Sequence, residues 1–424
     1  MRIALVVFLA CAARACAQTP SLLTLAQAEE IAVRNHPRIS SANYTAQALS
    51  AAVKEVRAAE FPTLSANLTG VGANSPTSLS AGALTTSSIY DRGATGISVN
   101  QLITDFGRTA KLAESARLRA AAQSQTTNST RAQVVLGVDQ AYYQALAAQA
   151  VLKVAQATVQ LRELTLRQVR ALAASALKST LDVSFAEVSL SDAQLSLFRA
   201  ENEVRADHAR LAAALGYQRD VPFDLAEEPL PPELPADPEP LVEQALRDRP
   251  DLAGLELGRD ASKRFAEAEK RLMLPSVTAI AAAGAAPVRD PLLPRTYAAT
   301  GVNLNLPVLN GGLFKARRQE AEYRAMAADK DVQDLAIQVA RDVRVSWLEA
   351  RDAFLRLDVA QRLVKQANEA LRLAQARYEL GLSGIVELNQ AQLSQTSAQI
   401  TAATAKYEYL SRRSAVAYAI GSLR

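Results

Sequence analysis

The residue types that most often catalyse reactions or bind metals are rare in this sequence. Its 424 residues include two histidines, His36 and His208, and two cysteines, Cys11 and Cys16. The histidines lie far apart, and neither has a second ligand at the spacing of a metal site. No glycine-rich, phosphate-binding loop precedes a lysine, and no basic cluster indicates a nucleic acid partner. We therefore expect a protein that is not an enzyme and has no cofactor.

The N-terminus has the pattern of a secretory signal peptide. Arg2 supplies the positive end, a short apolar run follows, and Ala15-Cys16-Ala17 fits a cleavage site between small residues. We interpret residues 1–17 as the signal, with a lipidated Cys11 or Cys16 as the alternative. The remaining chain lacks the run of about 20 apolar residues that a transmembrane helix needs. If it enters a membrane, it must do so as strands of a closed barrel.

The rest of the chain is a duplication. Residues 32–37 return in similar form at 245–250, and Phe61-Pro62 returns as Leu274-Pro275. Four later pairs keep one constant spacing: Gly107 with Gly312, Tyr142 with Trp347, Asp182 with Glu387, and Gly216 with Gly421. A constant register over so long a segment indicates a repeat. We predict three parts beyond the signal: a first structural repeat at 18–219, a proline-rich connector at 220–238 and a second structural repeat at 239–424.

Each repeat contains two segments with the alternation of β-strands. Apolar and polar side chains alternate near 64–69 and 97–100, and again near 277–283 and 301–306. Each strand would have about ten residues, which is the length of a tilted membrane strand. A loop rich in Ser, Thr and Gly is expected at 73–92. Because four strands cannot close a barrel, the chain must combine with copies of itself, and three copies would supply twelve strands.

A very long helix follows the strands in each repeat. Residues 108–174 contain no proline, and a helix of that length would extend for about 100 Å. Apolar residues at heptad spacing run along 138–169, interrupted by Arg162, and again along 343–378. A second apolar seam along 143–164 indicates neighbouring helices on two sides. A generic antiparallel coiled coil would explain the seams but would leave the strands and the duplication unexplained.

These features together resemble the TolC family of outer-membrane efflux proteins. The resemblance covers nearly all of the mature chain and rests on the order and spacing of several short motifs. They are the Ala-x-x-x-x-Pro turn at 32–37, Phe61-Pro62 and Leu274-Pro275 before strands, the strand-to-helix crossings at 101–107 and 306–312, and the segment 378–388. The resemblance implies an α+β membrane protein with four strands per chain. These strands would join a trimeric, twelve-stranded β-barrel that continues into a long α-helical coiled-coil barrel.

The resemblance also implies a function and partners. The chain would be a homotrimeric channel in the bacterial outer membrane, surrounded by lipid and extending into the periplasm. It would act as the passive exit duct of a tripartite efflux or type I secretion system. Its partners would be a periplasmic adaptor protein and an inner-membrane pump of the RND or ABC type. The alternative is a periplasmic coiled-coil scaffold or adaptor, which would need no membrane-facing strands.

In the family, the periplasmic tips of the helical hairpins dock the adaptor and hold the duct shut. By position, Asp182 and Tyr378 resemble a hydrogen-bonded latch, and Glu387 resembles a residue of an acidic ring. The resemblance assigns adaptor contact to eight tip residues: Ala176, Leu177, Lys178, Ser179, Gly381, Leu382, Ser383 and Gly384. The chain departs from the family at Ala176, Ser383 and Gln390, where some members have glycine, arginine or a second acid. The alternative role for Asp182 and Glu387 is helix capping, since carboxylates favour helix N-termini.

Glycines are expected where a strand of each repeat turns into the long helix. Gly107 ends the first crossing, and Gly311 and Gly312 end the second. The chain changes direction there, and glycine tolerates backbone angles that other residues avoid. A role as simple helix caps is compatible with this prediction.

Overall fold

The computed structural model describes residues 22–72, 77–81, 84–89, 91–219, 221, 223–288 and 294–423. The expected signal peptide at 1–17, with Cys11 and Cys16, lies outside the described residues. No helix within the described ranges is long and apolar enough to cross a membrane.

The first repeat begins with a two-residue strand and two helices, continues with further strands and ends with a long helical hairpin. Its elements are β1 (Leu22–Leu23), α1 (Leu25–Asn35), α2 (Pro37–Ala58), β2 (Thr63–Val71), β3 (Thr77–Ala81), β4 (Leu84–Ile89), β5 (Arg92–Thr104), α3 (Arg108–Ala174) and α4 (Thr180–Ala214). Thr24 and Gln27 form a capping box that starts α1. Pro37 occupies the first turn of α2, where its missing N–H and fixed φ suit a helix start.

The second repeat follows the same order. After β6 (Asp224–Leu225), which lies in the connector, its elements are α5 (Glu239–Asp248), α6 (Pro250–Lys270), β7 (Ser276–Val288), β8 (Thr296–Asn305), α7 (Leu313–Glu379) and α8 (Ile385–Ala419). The long helices α3 and α7 each contain 67 residues, and the returning helices α4 and α8 each contain 35. The duplication inferred from the sequence is therefore present in the fold.

Four strands, two from each repeat, form one antiparallel sheet in the order β2-β5-β7-β8. The repeats meet where β5 pairs with β7, and Ile97 there lies opposite Ala283. The edge strands β2 and β8 are exposed along nearly their whole length, with Leu68 at 87% and Val302 at 72% exposure. Within the described ranges, β2 and β8 each pair with one strand only, so each has an open edge.

The segment between β2 and β5 differs from the prediction. We expected a loop at 73–92, but β3 and β4 pair there as a separate antiparallel hairpin, in which Ser78 lies opposite Ser88. Serine and glycine are common in loops, and this composition concealed the two short strands. The described part of the second repeat has no equivalent hairpin.

The four long helices lie side by side in a row. α7 packs against α8, α8 against α3, and α3 against α4, so the contact of α3 with α8 joins the two hairpins. The predicted seam is buried at these contacts, as Val138 and Val169 on α3 and Ala350 and Leu371 on α7 show. α2 and α6 pack on α3, and α6 also contacts α7. Consequently α4 and α7 form the two ends of the row.

Repeat-equivalent aromatic residues hold the connector against the long helices. The hydroxyl of the buried Tyr142 lies 2.8 Å from the carbonyl oxygens of both Leu23 and Ala226. Its counterpart, Trp347, donates from Nε1 to the carbonyl oxygen of Pro235 at 2.9 Å. A hydroxyl has one proton, so Tyr142 shares it between the two carbonyls. This contact supports the parallel pairing of β1 with β6.

We expect Tyr142→Phe to destabilise the protein by about 1–3 kcal/mol, because it leaves the carbonyl of Ala226 without its donor, whereas the carbonyl of Leu23 still accepts from the backbone N–H of Ala226. The measurement is the unfolding midpoint of the detergent-solubilised protein. Tyr44→Phe is the matched control, since the Tyr44 side chain is 68% exposed. Equal midpoints for the wild type and Tyr142→Phe would contradict this account of the connector.

Candidate functional site at the hairpin tips

The tips of the two helical hairpins have a similar backbone conformation. The first tip joins α3 to α4, and the second joins α7 to α8. Ala176 and its repeat equivalent Gly381 both have positive φ, at 55° and 72°. A left-handed conformation costs a non-glycine residue about 1–2 kcal/mol, so the first tip carries strain that the second avoids. The following residues, Leu177 and Leu382, are largely exposed apolar side chains.

Lys178 connects the first tip to the second hairpin. Its Nζ donates to the carbonyl oxygen of Tyr378 at 2.9 Å and lies 4.0 Å from the centroid of the Tyr378 ring. A cation over an aromatic ring contributes about 0.5–2 kcal/mol. The sequence did not indicate this contact, because the two residues are distant in the chain and the repeat equivalent of Lys178 is Ser383.

Tyr378 is buried between the hairpins, and its hydroxyl has no hydrogen-bond partner in the described part of the chain. Burial and the nearby negative charge of Asp182 raise the pKa of Tyr378, so the hydroxyl keeps its proton. Asp182 accepts a hydrogen bond from the backbone N–H of Ser179 at 3.1 Å and completes a capping box at the start of α4. Within a single chain, Asp182 therefore caps its helix and the proton of Tyr378 stays available.

Glu387, the repeat equivalent of Asp182, lies in the first turn of α8. Its carboxylate pairs with Nε of Arg377 at 3.1 Å, and both side chains are about half exposed. An exposed pair of this kind contributes about 0–1 kcal/mol. Arg377, which the sequence did not single out, thus balances the charge of Glu387. In the described ranges, no group of acidic, histidine or cysteine side chains could hold a metal ion.

A buried cluster supports both tips. Its side chains come from all four long helices: Leu166, Val169, Ala186, Leu371, Tyr378, Ile385 and Leu388. Gln392 on α8 donates to Oγ1 of Thr165 on α3 at 3.2 Å, which adds a buried polar contact between the hairpins. The tip residues therefore rest on a packed base that the two hairpins share.

The opposite ends of α3 and α7 lie beside the sheet. Gly107 and Gly312 directly precede these helices with φ of 81° and 84°, and Gly311 has φ of 61°. Arg271 donates to the carbonyl oxygen of Gly107 at 2.9 Å, and a Cβ at Gly107 would lie 2.5 Å from the same guanidinium. Asp105 accepts from the Gly107 N–H at 3.0 Å. The sequence indicated the glycines but gave no signal for Arg271, which comes from the other repeat.

Comparisons with known proteins agree with this architecture. The family described as outer membrane efflux protein matches residues 30–217 and 241–422. The toluene efflux pump outer membrane protein TtgC of Pseudomonas putida is 30% identical over 358 residues, which are 81% of this chain and 71% of that protein. The crystal structure of the CusC channel has a TM-score of 0.82 at 18% identity and covers 95% of this chain and 93% of that chain. The outer-membrane channel OprN has a TM-score of 0.81 at 20% identity, covering 94% and 90%.

We expect Lys178→Met to loosen the tips, because it removes a charged donor and a cation over the Tyr378 ring. Hydrogen–deuterium exchange of the backbone amides at 379–384 should accelerate about tenfold, which corresponds to about 1.4 kcal/mol. Lys365→Met is the matched control, since Lys365 is an exposed lysine elsewhere on α7. Unchanged exchange in Lys178→Met, or equal acceleration in both variants, would refute the bridging role of Lys178.

Proposed function

This chain belongs to the outer membrane efflux protein family, and we propose that it forms the passive exit duct of a tripartite efflux or type I secretion system. As a member, it is an outer-membrane efflux channel with a TolC-like fold. We further propose that three copies form the duct and that the hairpin tips gate it. Its partners would be a periplasmic adaptor and an inner-membrane pump of the RND or ABC type. The observation that carries the proposal is the set of surfaces that one copy leaves open.

The first open surface is the sheet. Its order β2-β5-β7-β8 leaves one free edge on β2 and one on β8. Each neighbouring pair is antiparallel, so β8 runs antiparallel to β2 and could pair with β2 of another copy in the same manner. Membrane barrels need about eight strands or more. Two copies would only reach that minimum, whereas three copies supply twelve strands and enclose a wider lumen.

The second open surface is formed by the ends of the helix row. On α4, an apolar stripe at heptad spacing consists of Leu181, Phe185, Val188 and Leu195; on α7, the corresponding stripe consists of Val345, Leu348, Leu355 and Val359. These side chains are between 38% and 61% exposed in one copy. Because stripes of this spacing pack helix against helix, we infer that α4 of one copy packs against α7 of the next. The same number of copies would then close the helices into a tube and the strands into a barrel.

The tips would close this tube at its periplasmic end. The Tyr378 hydroxyl is buried, protonated and unpartnered within the described chain, and the charge of Asp182 lies near enough to raise its pKa. We therefore assign Asp182 as the partner of Tyr378 in the closed duct, with Glu387 at the entrance. A phenol–carboxylate hydrogen bond contributes about 1.5–3 kcal/mol, which adaptor binding could overcome. Opening would also break the Lys178–Tyr378 contact, since it joins two hairpins of one chain.

Residues 1–17 would be removed on export, and the repeats at 18–219 and 239–424 would surround the connector at 220–238. The adaptor would contact the tips at 176–179 and 381–384. Exposed apolar side chains of the sheet, such as Leu68, would face outer-membrane lipid.

A periplasmic coiled-coil scaffold or adaptor is the second candidate, because long heptad helices suit either function. The exposed sheet disfavours it, since soluble proteins rarely expose large contiguous apolar patches. Osmotic shock should release a scaffold, whereas the duct should require detergent.

We expect Tyr378→Phe to raise the conductance of the protein reconstituted in planar bilayers several-fold. The variant removes only the hydroxyl, which has no partner within the described chain, so an effect must come from a contact made in the closed duct. Asp182→Ala should act in the same direction. Tyr323→Phe is the matched control, because Tyr323 is 69% exposed on the same helix. An unchanged closed state in Tyr378→Phe would reject the latch, and a wild type that never conducts would reject the duct.

A further inference from the structure

A buried acidic residue lies where the first helix of the chain meets the long helices. Asp139 on α3 is 2% exposed, and both α1 and α8 pack against α3. Glu29 on α1 and Ser414 on α8 lie beside its carboxyl group. The same face of α1 carries Ala28 and Ala32, which are fully buried. Three helices of one copy therefore enclose the Asp139 side chain.

The two carboxyl groups face each other without a counterion. In the described part of the chain, no cation lowers the pKa of Asp139, and its Oδ1 atom has no hydrogen-bond partner. Ionised carboxylates only accept hydrogen bonds, so two of them side by side repel each other. A single proton removes this repulsion, because a protonated Asp139 can donate to the carboxylate of Glu29.

The second repeat has a positive charge at the corresponding contact. The repeat equivalent of Asp139 is Arg344, which lies where α5 packs on α7. Arg344 donates to the carboxylate of Glu239 on α5, from Nε at 2.8 Å and from Nη2 at 2.9 Å. An ion pair thus joins the short helix to the long one in the second repeat. In the first repeat two acids make this contact, so a proton has to supply the positive charge.

The acidic groups around the pair increase the need for a proton. Glu228 of the connector lies near α1 and accepts from the N–H of Leu25 at 3.4 Å. Burial, followed by the charges of Asp139 and Glu228, raises the pKa of Tyr143 on α3, so this phenol keeps its proton at neutral pH. None of these groups can neutralise a second carboxylate.

The basic groups near these helices do not neutralise the pair. Burial and a nearby arginine lower the pKa of His36, at the turn between α1 and α2, so this side chain is neutral at pH 7. On α8, Arg412 pairs with Glu349 at 2.7 Å, and Arg413 donates to the carbonyl oxygen of Pro232. Both guanidinium groups are therefore held away from Asp139.

A neighbouring copy does not reach Asp139 either. Its side chain is covered by α1 and α8 of its own chain, whereas the open stripes that we assign to contacts between copies lie on α4 and α7. Glu29 is partly exposed, so it is the only member of the pair that another chain could contact. The burial of Asp139 is thus a property of one copy and does not depend on the assembly.

We propose that Asp139 and Glu29 share one proton, that this proton fastens α1 to the long helices, and that its loss loosens the N-terminal segment. The shared proton lies between α1 and α3, far along the chain from the latch at Tyr378. The proposal concerns a single chain and holds whether or not three copies form a duct.

The direction of the pH response follows from the burial of the acid. Burial raises the pKa of Asp139 to about 7; the hydroxyl of Ser414 opposes this effect, and Glu29 adds to it. An exposed aspartate has a pKa of about 3.9. The docked state therefore binds the proton more tightly than the undocked state. The stabilisation is complete below about pH 4 and is lost as the pH rises through about 7.

The test is hydrogen–deuterium exchange of the α1 amides, at 25–35, in the detergent-solubilised full chain at pH 6 and pH 8. Each rate is divided by the rate of the same peptide in unfolded form at that pH. We expect the protection of the wild type to fall about tenfold between pH 6 and pH 8. In Asp139→Asn the amide donates to Glu29 at every pH, so protection should change by less than about twofold.

Asp207→Asn is the matched control. Asp207 is also a buried aspartate, at 1% exposure on α4, but Arg210 pairs with it at 2.5 Å. This variant should keep the pH dependence that the wild type shows at α1. Glu29→Gln removes the neighbouring negative charge, so it should shift the pH at which protection is lost to lower values.

Infrared spectroscopy of the wild type detects the proton directly. The band of a protonated carboxyl group should be present at pH 6, decrease by pH 8 and be absent from Asp139→Asn. Protection of α1 that is constant from pH 6 to pH 8 would overturn the proposal, and would mean that a cation, such as one from a neighbouring copy at Glu29, holds both groups ionised. Equal pH dependence in Asp139→Asn and the wild type would also overturn it. If Asp139→Asn does not fold, an unchanged midpoint in Glu29→Gln would have the same consequence.

Discussion

Backbone hydrogen bonding inside lipid is the constraint on which this structure depends. Every N–H and C=O group of a strand in hydrocarbon needs a partner. The four-stranded sheet satisfies β5 and β7 and leaves one open edge on each of β2 and β8. The row of long helices has the same property, since α4 and α7 each leave an apolar stripe uncovered. Each repeat contributes two strands to the sheet and two long helices to the row. Because strands and helices are duplicated together, we infer that one assembly of copies closes both surfaces.

Much of this fold could be predicted from the sequence, because its strongest signals are periodic. Heptad spacing predicted α3 and α7, and alternation predicted the four strands of the sheet. The hairpin of β3 and β4 was missed, since short strands rich in serine and threonine have the composition of a loop. The pairing of β1 with β6 was also missed, because two residues in each strand carry no periodicity.

The site was less predictable, because its contacts join residues far apart in the chain. The resemblance to the family indicated Asp182, Tyr378 and Glu387, but no pattern revealed that Lys178 binds the carbonyl and ring of Tyr378. Arg377 was missed for another reason: it is close to Glu387 in the chain, but their ion pair forms only when the tip folds α8 back against α7. Which charged side chains pair here depends on how the hairpins pack. In the sequence, only the apolar seams indicate that packing.

The most direct test of the central claim is disulfide cross-linking between sheet edges of neighbouring copies. One cysteine replaces Ala66 on β2, and a second is moved along 298–304 on β8; the native Cys11 and Cys16 precede the expected mature chain. If three copies close the sheet, some positions on β8 should give covalent dimers and trimers, and the ladder should stop at the trimer. Ser98→Cys on the inner strand β5, combined with the same positions, should give no covalent trimer. Absence of intermolecular cross-links at every β8 position, or a ladder beyond the trimer, would contradict the account.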